Sequence, residues 1–179
     1  MRNKLKGLAG PGANPGLALD RFVPWPKDDK TRPAFFNGVA ATRHGPAYAT
    51  AFDRWKKMAE DRKALVCTAT LGGPLAVGLG NETPSEVGLT LHRVYGMPVI
   101  PGSAVKGACL RALAGQDAVA CELFGTTDNA GCAIFHDAWY DPGSLGGAPL
   151  QVDTVTVHHP TYYQKDGKEG FPTDFDDPT

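Results

Sequence analysis

From Ala47 to Lys63 the apolar residues Tyr48, Ala51, Phe52, Trp55, Met58 and Ala59 recur at helical spacing, which predicts one α-helix with a single buried face. Beyond it the period shortens to two. Leu65, Cys67, Ala69 and Leu71 alternate with Val66, Thr68 and Thr70, as in a strand packed on both sides, and Gly72-Gly73-Pro74 then turns the chain. Leu75, Val77 and Leu79 resume the alternation. A third run has Leu89 and Leu91 facing one way and Thr90 and His92 the other, before Tyr95-Gly96-Met97-Pro98 breaks it.

A second helix is predicted from Ser103 to about Ala114, closed by Gly115 at C′, with Val105, Ala108, Cys109, Ala112 and Leu113 as a narrow apolar stripe. Residues 117–124 suit one or two further helical turns, 131–138 reads as a strand, and 143–147 as a loop. The run 149–159 has strong β-propensity, but its alternation slips between Val152 and Val155, which calls for a bulge or a curved strand. At the other end, GPGANPG and RFVPWPKDDKTRP scatter Pro and Gly too densely for a helix or central strand to persist. Residues 1–46 are therefore expected to form an irregular arm, pinned by Trp25, Phe35 and Phe36.

The order of elements predicts an α+β fold, with a mainly antiparallel sheet of four or five strands and one helix covering it. Its division would be 1–63, arm plus helical extension, and 64–179, the mixed domain. A length of 179 residues suits one domain. Apolar residues at 42% and charged residues at 21% exclude a disordered chain and a coiled coil. Gly and Pro, 22 and 15 in number, take about a fifth of the chain, well above the average share of about 12%. No apolar run reaches the roughly 18 residues of a membrane span, and no secretory h-region follows the basic N-terminus. A cytoplasmic protein with no membrane partner is expected.

The formal net charge of −1 conceals an asymmetry: residues 1–63 hold 13 Lys/Arg against 6 Asp/Glu, and residues 64–179 hold 5 against 13. Such a balance excludes a uniformly basic coat yet permits a local basic surface. Arg54, Lys56, Lys57 and Arg62 form either a solvated helix face, with Asp53 pairing to Lys57 at i+4, or a face turned toward RNA. Cys67, Cys109, Cys121 and Cys132 lack metal-ligand spacing and read as buried free thiols in a reducing compartment.

Chemistry concentrates in EVGLTLHRVYGMPVIPGSAVKGACLRAL (86–113). Pro98 and Pro101 impose an extended approach, and Ser103 is placed to N-cap the helix with its hydroxyl. The helix terminus would then offer free N–H donors and about half a positive charge, with Lys106 beside it, an arrangement suited to phosphate. Ser103, Gly107 and Arg111 share one face, and a glycine there lets a sugar-phosphate backbone approach closely. The alternative is that PGS merely starts a helix and Gly107 merely lets it pack. There is no G-x-x-x-x-G-K-[ST] loop.

GLGNETPSEVGLTLHRVYGMPVIPGSAVKGACLRAL, followed by LFGTTDNAGCAIFHDA and TVHHPTYYQKDG, resembles the RAMP superfamily of CRISPR-associated proteins, and within it the backbone subunits of type III-B Cmr effector complexes. The resemblance runs from about Leu65 to the C-terminus and is most specific in the pairing of YGMPVIPGSAVKG with the later GCAIFHDA. It implies a modified ferredoxin-like, RNA-recognition-type sheet with helices on one face. The implied protein is a non-catalytic, RNA-binding subunit without a cofactor, which grips guide RNA near its 3′ end and supports the guide–target duplex in antiviral defence. Its partners would be guide RNA, target RNA and other RAMP subunits. By the same resemblance Gly102, Ser103, Lys106, Gly107 and Arg111 fall on the motif opening the first helix, and Arg93 and Tyr95 on the preceding turn, all as guide contacts. The family's fold continues past the FPTDFDDPT region into further strands, so the sheet is expected to be incomplete at the C-terminus.

Two other readings stay open. Some RAMP relatives cut repeat RNA without metal, and His92, Tyr95 and Lys106 lie close enough in sequence to serve such an endoribonuclease, with His92 as base. Asp137 and Asp153 sit in strand-like runs and read as edge or capping carboxylates. His158, Tyr162 and Tyr163 could stack on bases or make a second RNA contact, whereas adjacent His158 and His159 would point to opposite strand faces and make a poor metal pair. The remaining reading is a purely structural subunit-docking module.

Overall fold

The computed structural model describes residues 13–24, 31–81, 83, 88–113, 117–144, 148–154, 165–166 and 168–170. Five helices and two short strands lie among them: α1 (Pro15–Arg21), α2 (Thr31–Ala40), α3 (Pro46–Asp61), β1 (Val99–Ile100), α4 (Gly102–Ala112), α5 (Asp117–Phe124) and β2 (Ala138–Trp139). The mixture is α+β. β1 and β2 pair antiparallel, with Val99 opposite Trp139 and Ile100 opposite Ala138.

The long helix forms where its periodicity places it. Pro46 occupies the first turn, where a missing N–H has no consequence, and Lys63 in the left-handed region (φ 53°) ends it. Tyr48, Ala51, Phe52 and Ala59 are buried, and Met58 at the margin is exposed. The α5 segment ends at Phe124, after which Gly125 (φ +79°) reverses the chain. Cys132 and Ala133 then donate N–H bonds to the Glu122 and Leu123 carbonyls at 3.0 and 3.1 Å, closing the helix end.

The expected irregular arm is corrected by α1 and α2. Asn14 is the N-cap of α1, its Oδ1 accepting the Leu17 N–H at 3.1 Å, with Pro15 in the first turn. A proline at that position begins a helix instead of breaking one. In α2, Phe35 and Phe36 meet edge to face at 5.6 Å and the Arg32 guanidinium lies over the Phe36 ring; Trp25 falls outside the described residues.

The sheet is smaller than the alternation predicts. Residues 64–76 are exposed throughout and form no strand, and Leu65 is 92% exposed. Residues 75–79 lie against the third run, where Thr90 donates its N–H to Val77 C=O at 2.7 Å, but form no strand with it. Of 131–138 only Ala138 enters a strand, leaving Ile134 83% exposed, and 149–154 is irregular, while the rest of that run lies outside the described residues. Alternation supplies a face, but a strand also needs a neighbour to take its amides and carbonyls.

The core gathers where α3, the hairpin Leu91–Pro98 and β2 meet. Leu91 and Pro98 form a bridge; His92 donates its N–H to Met97 C=O and Gly96 donates to His92 C=O, both at 2.7 Å. Met97 is 1% exposed. Tyr48 is the hub, stacked on Trp139 at 5.8 Å and edge-on to Tyr95 at 5.6 Å. Trp55 stacks on Trp139 at 5.8 Å, and His92 meets the same indole edge-on at 4.7 Å. Ring pairs of these geometries add to the area they bury.

Candidate nucleic-acid interface

Helix α4 starts one residue before the predicted Ser103, because its first-turn acceptor and donor come from elsewhere. Ala104 and Val105 donate to Pro101 C=O at 2.8 and 3.0 Å, and the Gly102 N–H donates to Asp137 Oδ1 at 2.8 Å. Ser103 makes no side-chain cap bond. An ionised oxygen delivered across the β1–β2 pair is the stronger acceptor, and Asp137 is thus the capping carboxylate. It also sets a negative charge against the positive end of the helix. The terminus therefore does not present all its amides to an incoming anion; that of Ser103 has no acceptor among the described residues.

Gly102 is buried against the 135–136 backbone, where a Cβ would collide with the Phe135 carbonyl. Gly107 is its opposite: it is exposed, and beyond its own neighbours and helix backbone no described atom lies within 4 Å of where its Cβ would stand. Around the helix, Gly102, Val105, Cys109 and Leu113 turn inward, and Lys106 sits half-buried at the margin. Ser103, Ala104, Gly107, Ala108, Leu110, Arg111 and Ala112 are exposed, Leu110 at 45%. The inward stripe is thus narrower than predicted, since Ala108 and Ala112 belong to the open face. Ser103, Gly107 and Arg111 do share that face, which is smooth near Gly107 and cationic at its C-terminal end.

Arg93 is exposed at the tip of the hairpin, and Tyr95 beside it is half-buried with its ring turned into the aromatic cluster. His92 Nδ1 accepts the N–H groups of Val94 and Tyr95 at 3.2 and 3.4 Å, and its ring packs on Tyr95 at 4.8 Å. That nitrogen braces the turn. Burial, with Tyr140 and Asp141 nearby, pushes the Tyr48 hydroxyl far above the ordinary tyrosine range; it stays protonated and donates to Tyr140 C=O at 2.6 Å. Arg54, Lys56, Lys57 and Arg62 are exposed on α3. Asp153 is exposed in an irregular segment and accepts the N–H of Thr154. His158, His159, Tyr162 and Tyr163 lie outside the described residues.

Asn14 and Trp139 escaped the sequence reading as site-building residues, whereas Asp137, read there as an edge or capping carboxylate, is a capping one. For Asn14 a signal existed, the Asn-Pro pair that marks an N-cap followed by N1. For Trp139 none did, since it acts across a strand pair far away in sequence; for Asp137 the sequence offered the role but not the helix that it caps. Among the described residues no three His, Cys, Asp or Glu side chains gather to hold a metal ion, and no helix is long and apolar enough to cross a membrane. The cysteines are free, but not buried as expected: Cys67, Cys121 and Cys132 are exposed and Cys109 is half-buried.

A family model described as the RAMP superfamily matches residues 68–174. That span holds β1, α4, α5, β2 and the hairpin, while α1, α2 and α3 precede it. No curated protein and no solved structure matches the chain.

Proposed function

The chain belongs to the RAMP superfamily, which implies a CRISPR-associated, RNA-binding role, and from that premise we propose that it is a non-catalytic backbone subunit of a type III-B effector complex, akin to the sixth Cmr subunit. It grips guide RNA near its 3′ end, supports the guide–target duplex in antiviral defence, and works in the cytoplasm beside other RAMP subunits. The observation that carries the reading is the open face of α4. Ser103, Gly107 and Arg111 are exposed together, and no other described part of the chain comes within 4 Å of where a Gly107 Cβ would stand. A sequence-independent hold on RNA needs such phosphate ligands and leaves sequence to base pairing.

In this proposal Arg93 and Arg111 take phosphates from two elements, and Lys106 adds charge from the helix margin. Ser103 offers its amide and hydroxyl. Gly102 keeps the helix tight on the 135–136 backbone, and Tyr95 anchors the turn by its ring while its edge faces the guide. Residues 64–179 form the RAMP domain of ferredoxin-like type, and 1–63 an extension of it. The exposed Leu65, Leu71 and Ile134 favour completion of its sheet against neighbouring RAMP subunits.

Filter binding of an unstructured RNA of ~40 nucleotides across a salt series tests the proposal. A phosphate clamp predicts that Lys106→Ala and Arg111→Ala each lower the salt slope by about 1 without changing sequence preference. Unchanged slopes in both variants would leave docking as the better reading. Cleavage of repeat RNA in EDTA that disappears in His92→Ala would overturn the non-catalytic assignment.

A further inference from the structure

We infer that Asn14 is a positioning residue for the RNA-contacting turn, a latch by which the N-terminal extension sets the direction of Arg93; the inference rests on the proposed guide contact by Arg93. Asn14 precedes the family match at 68–174, so the RAMP motif does not include it. Its side chain uses both ends. Oδ1 caps α1 through the Leu17 N–H, while Nδ2 donates to Val94 C=O at 2.9 Å and to Arg93 C=O at 3.3 Å.

Two carbonyls taken by one amide fix the orientation of successive peptide planes, and these planes determine where the Arg93 side chain leaves the hairpin. The turn is also held from its inner side, where His92 Nδ1 accepts the Val94 and Tyr95 amides. Gly96 closes the arrangement. Its φ of +67° suits glycine, and a Cβ there would meet Asn14 Oδ1 at 2.8 Å and the Pro15 nitrogen at 2.8 Å. The start of α1 therefore lies directly on the turn. A cation on a turn so held loses less freedom on meeting a phosphate than one on a loose loop, and preorganisation of this kind raises affinity without a new contact.

The test is a double-mutant cycle on the full chain, with the same ~40-nucleotide RNA as probe. Asn14→Ser keeps an N-capping oxygen for α1 but is one bond shorter and leaves the hairpin carbonyls unreached. It is expected to weaken RNA binding about fivefold, the equilibrium weight of one hydrogen bond, and this effect is expected to vanish in an Arg93→Ala background. Asn14→Ala, which also loses the cap, should weaken binding no further than Asn14→Ser once both are matched for folded fraction by circular dichroism. Faster amide exchange at Gly96, with exchange in α3 unchanged, would locate the loosening in the turn. If Arg93→Ala binds RNA like the wild type, the guide contact is wrong. If Arg93→Ala binds weakly while Asn14→Ser has no effect or a purely additive one, the guide contact stands and the latch is overturned.

Discussion

The junction of α3, the 91–98 hairpin and β2 and the segment 64–76 draw on the same resource, closely spaced apolar side chains, and end differently. At the junction Tyr48 is 2% exposed, with rings around it and its hydroxyl bonded to the Tyr140 carbonyl. In 64–76 every residue is exposed, Leu71 at 58% among them. The difference lies in neighbours. A helix satisfies its own backbone and needs only something to cover one face, which β2 and the hairpin provide. A strand must find both its hydrogen-bonding partner and its cover in other parts of the chain, and 64–76 finds neither among the described residues. Among the described residues the packed aromatic core lies at the junction, and the segment 64–76 is available to whatever pairs with it.

The sharpest way to break this contrast is at its hub. Tyr48→Ala should destabilise the fold by about 3–5 kcal/mol, as large aromatic truncations in a packed core do, whereas Leu71→Ala should stay within about 0.5 kcal/mol. Denaturant unfolding measures both. Comparable losses would mean that 64–76 is packed in solution.

The two glycines of α4 sharpen the same distinction on one helix. Gly102→Ala drives a methyl into the Phe135 carbonyl and should destabilise by about 1–3 kcal/mol. Gly107→Ala, with open space around it, should stabilise by about 1 kcal/mol, since alanine is the better helix former. Thermal unfolding gives the signs, and a destabilising Gly107→Ala would show that its face is covered.

A smaller effect is expected from Tyr48→Phe, which removes the bond to Tyr140 and should lose about 1 kcal/mol near neutral pH. Its pH dependence is the more telling part. The hydroxyl's affinity for its proton is raised in the folded state, so its contribution is complete below the unfolded tyrosine value of about 10 and declines as pH rises above that. Wild-type stability should fall across this alkaline range more steeply than that of Tyr48→Phe. Parallel profiles would place Tyr48 in water.

How much of this was legible in the sequence differs by element. α3 could be read from Tyr48, Phe52 and Trp55, and α4 from its stripe and its flanking prolines, because helical periodicity is a local property. At Asn14-Pro15 the abundance of proline hides a helix start. Sequence proximity points to Ser103 as the cap of α4, whereas the carboxylate that caps it is Asp137, 35 residues from Gly102; a capping role is legible for Asp137, but not which helix it serves.

By itself the sequence determined which segments could be helical, which carried strand-like alternation, where the cations lie, and that a RAMP motif runs through the C-terminal two-thirds. Only the tertiary structure decided which alternating runs became strands, which of two glycines faces open space, and that the N-terminal extension lies on the hairpin turn. The physical reason is that propensity and periodicity act over a few residues. Pairing, capping across strands and burial depend on what the folded chain brings alongside each residue from far away.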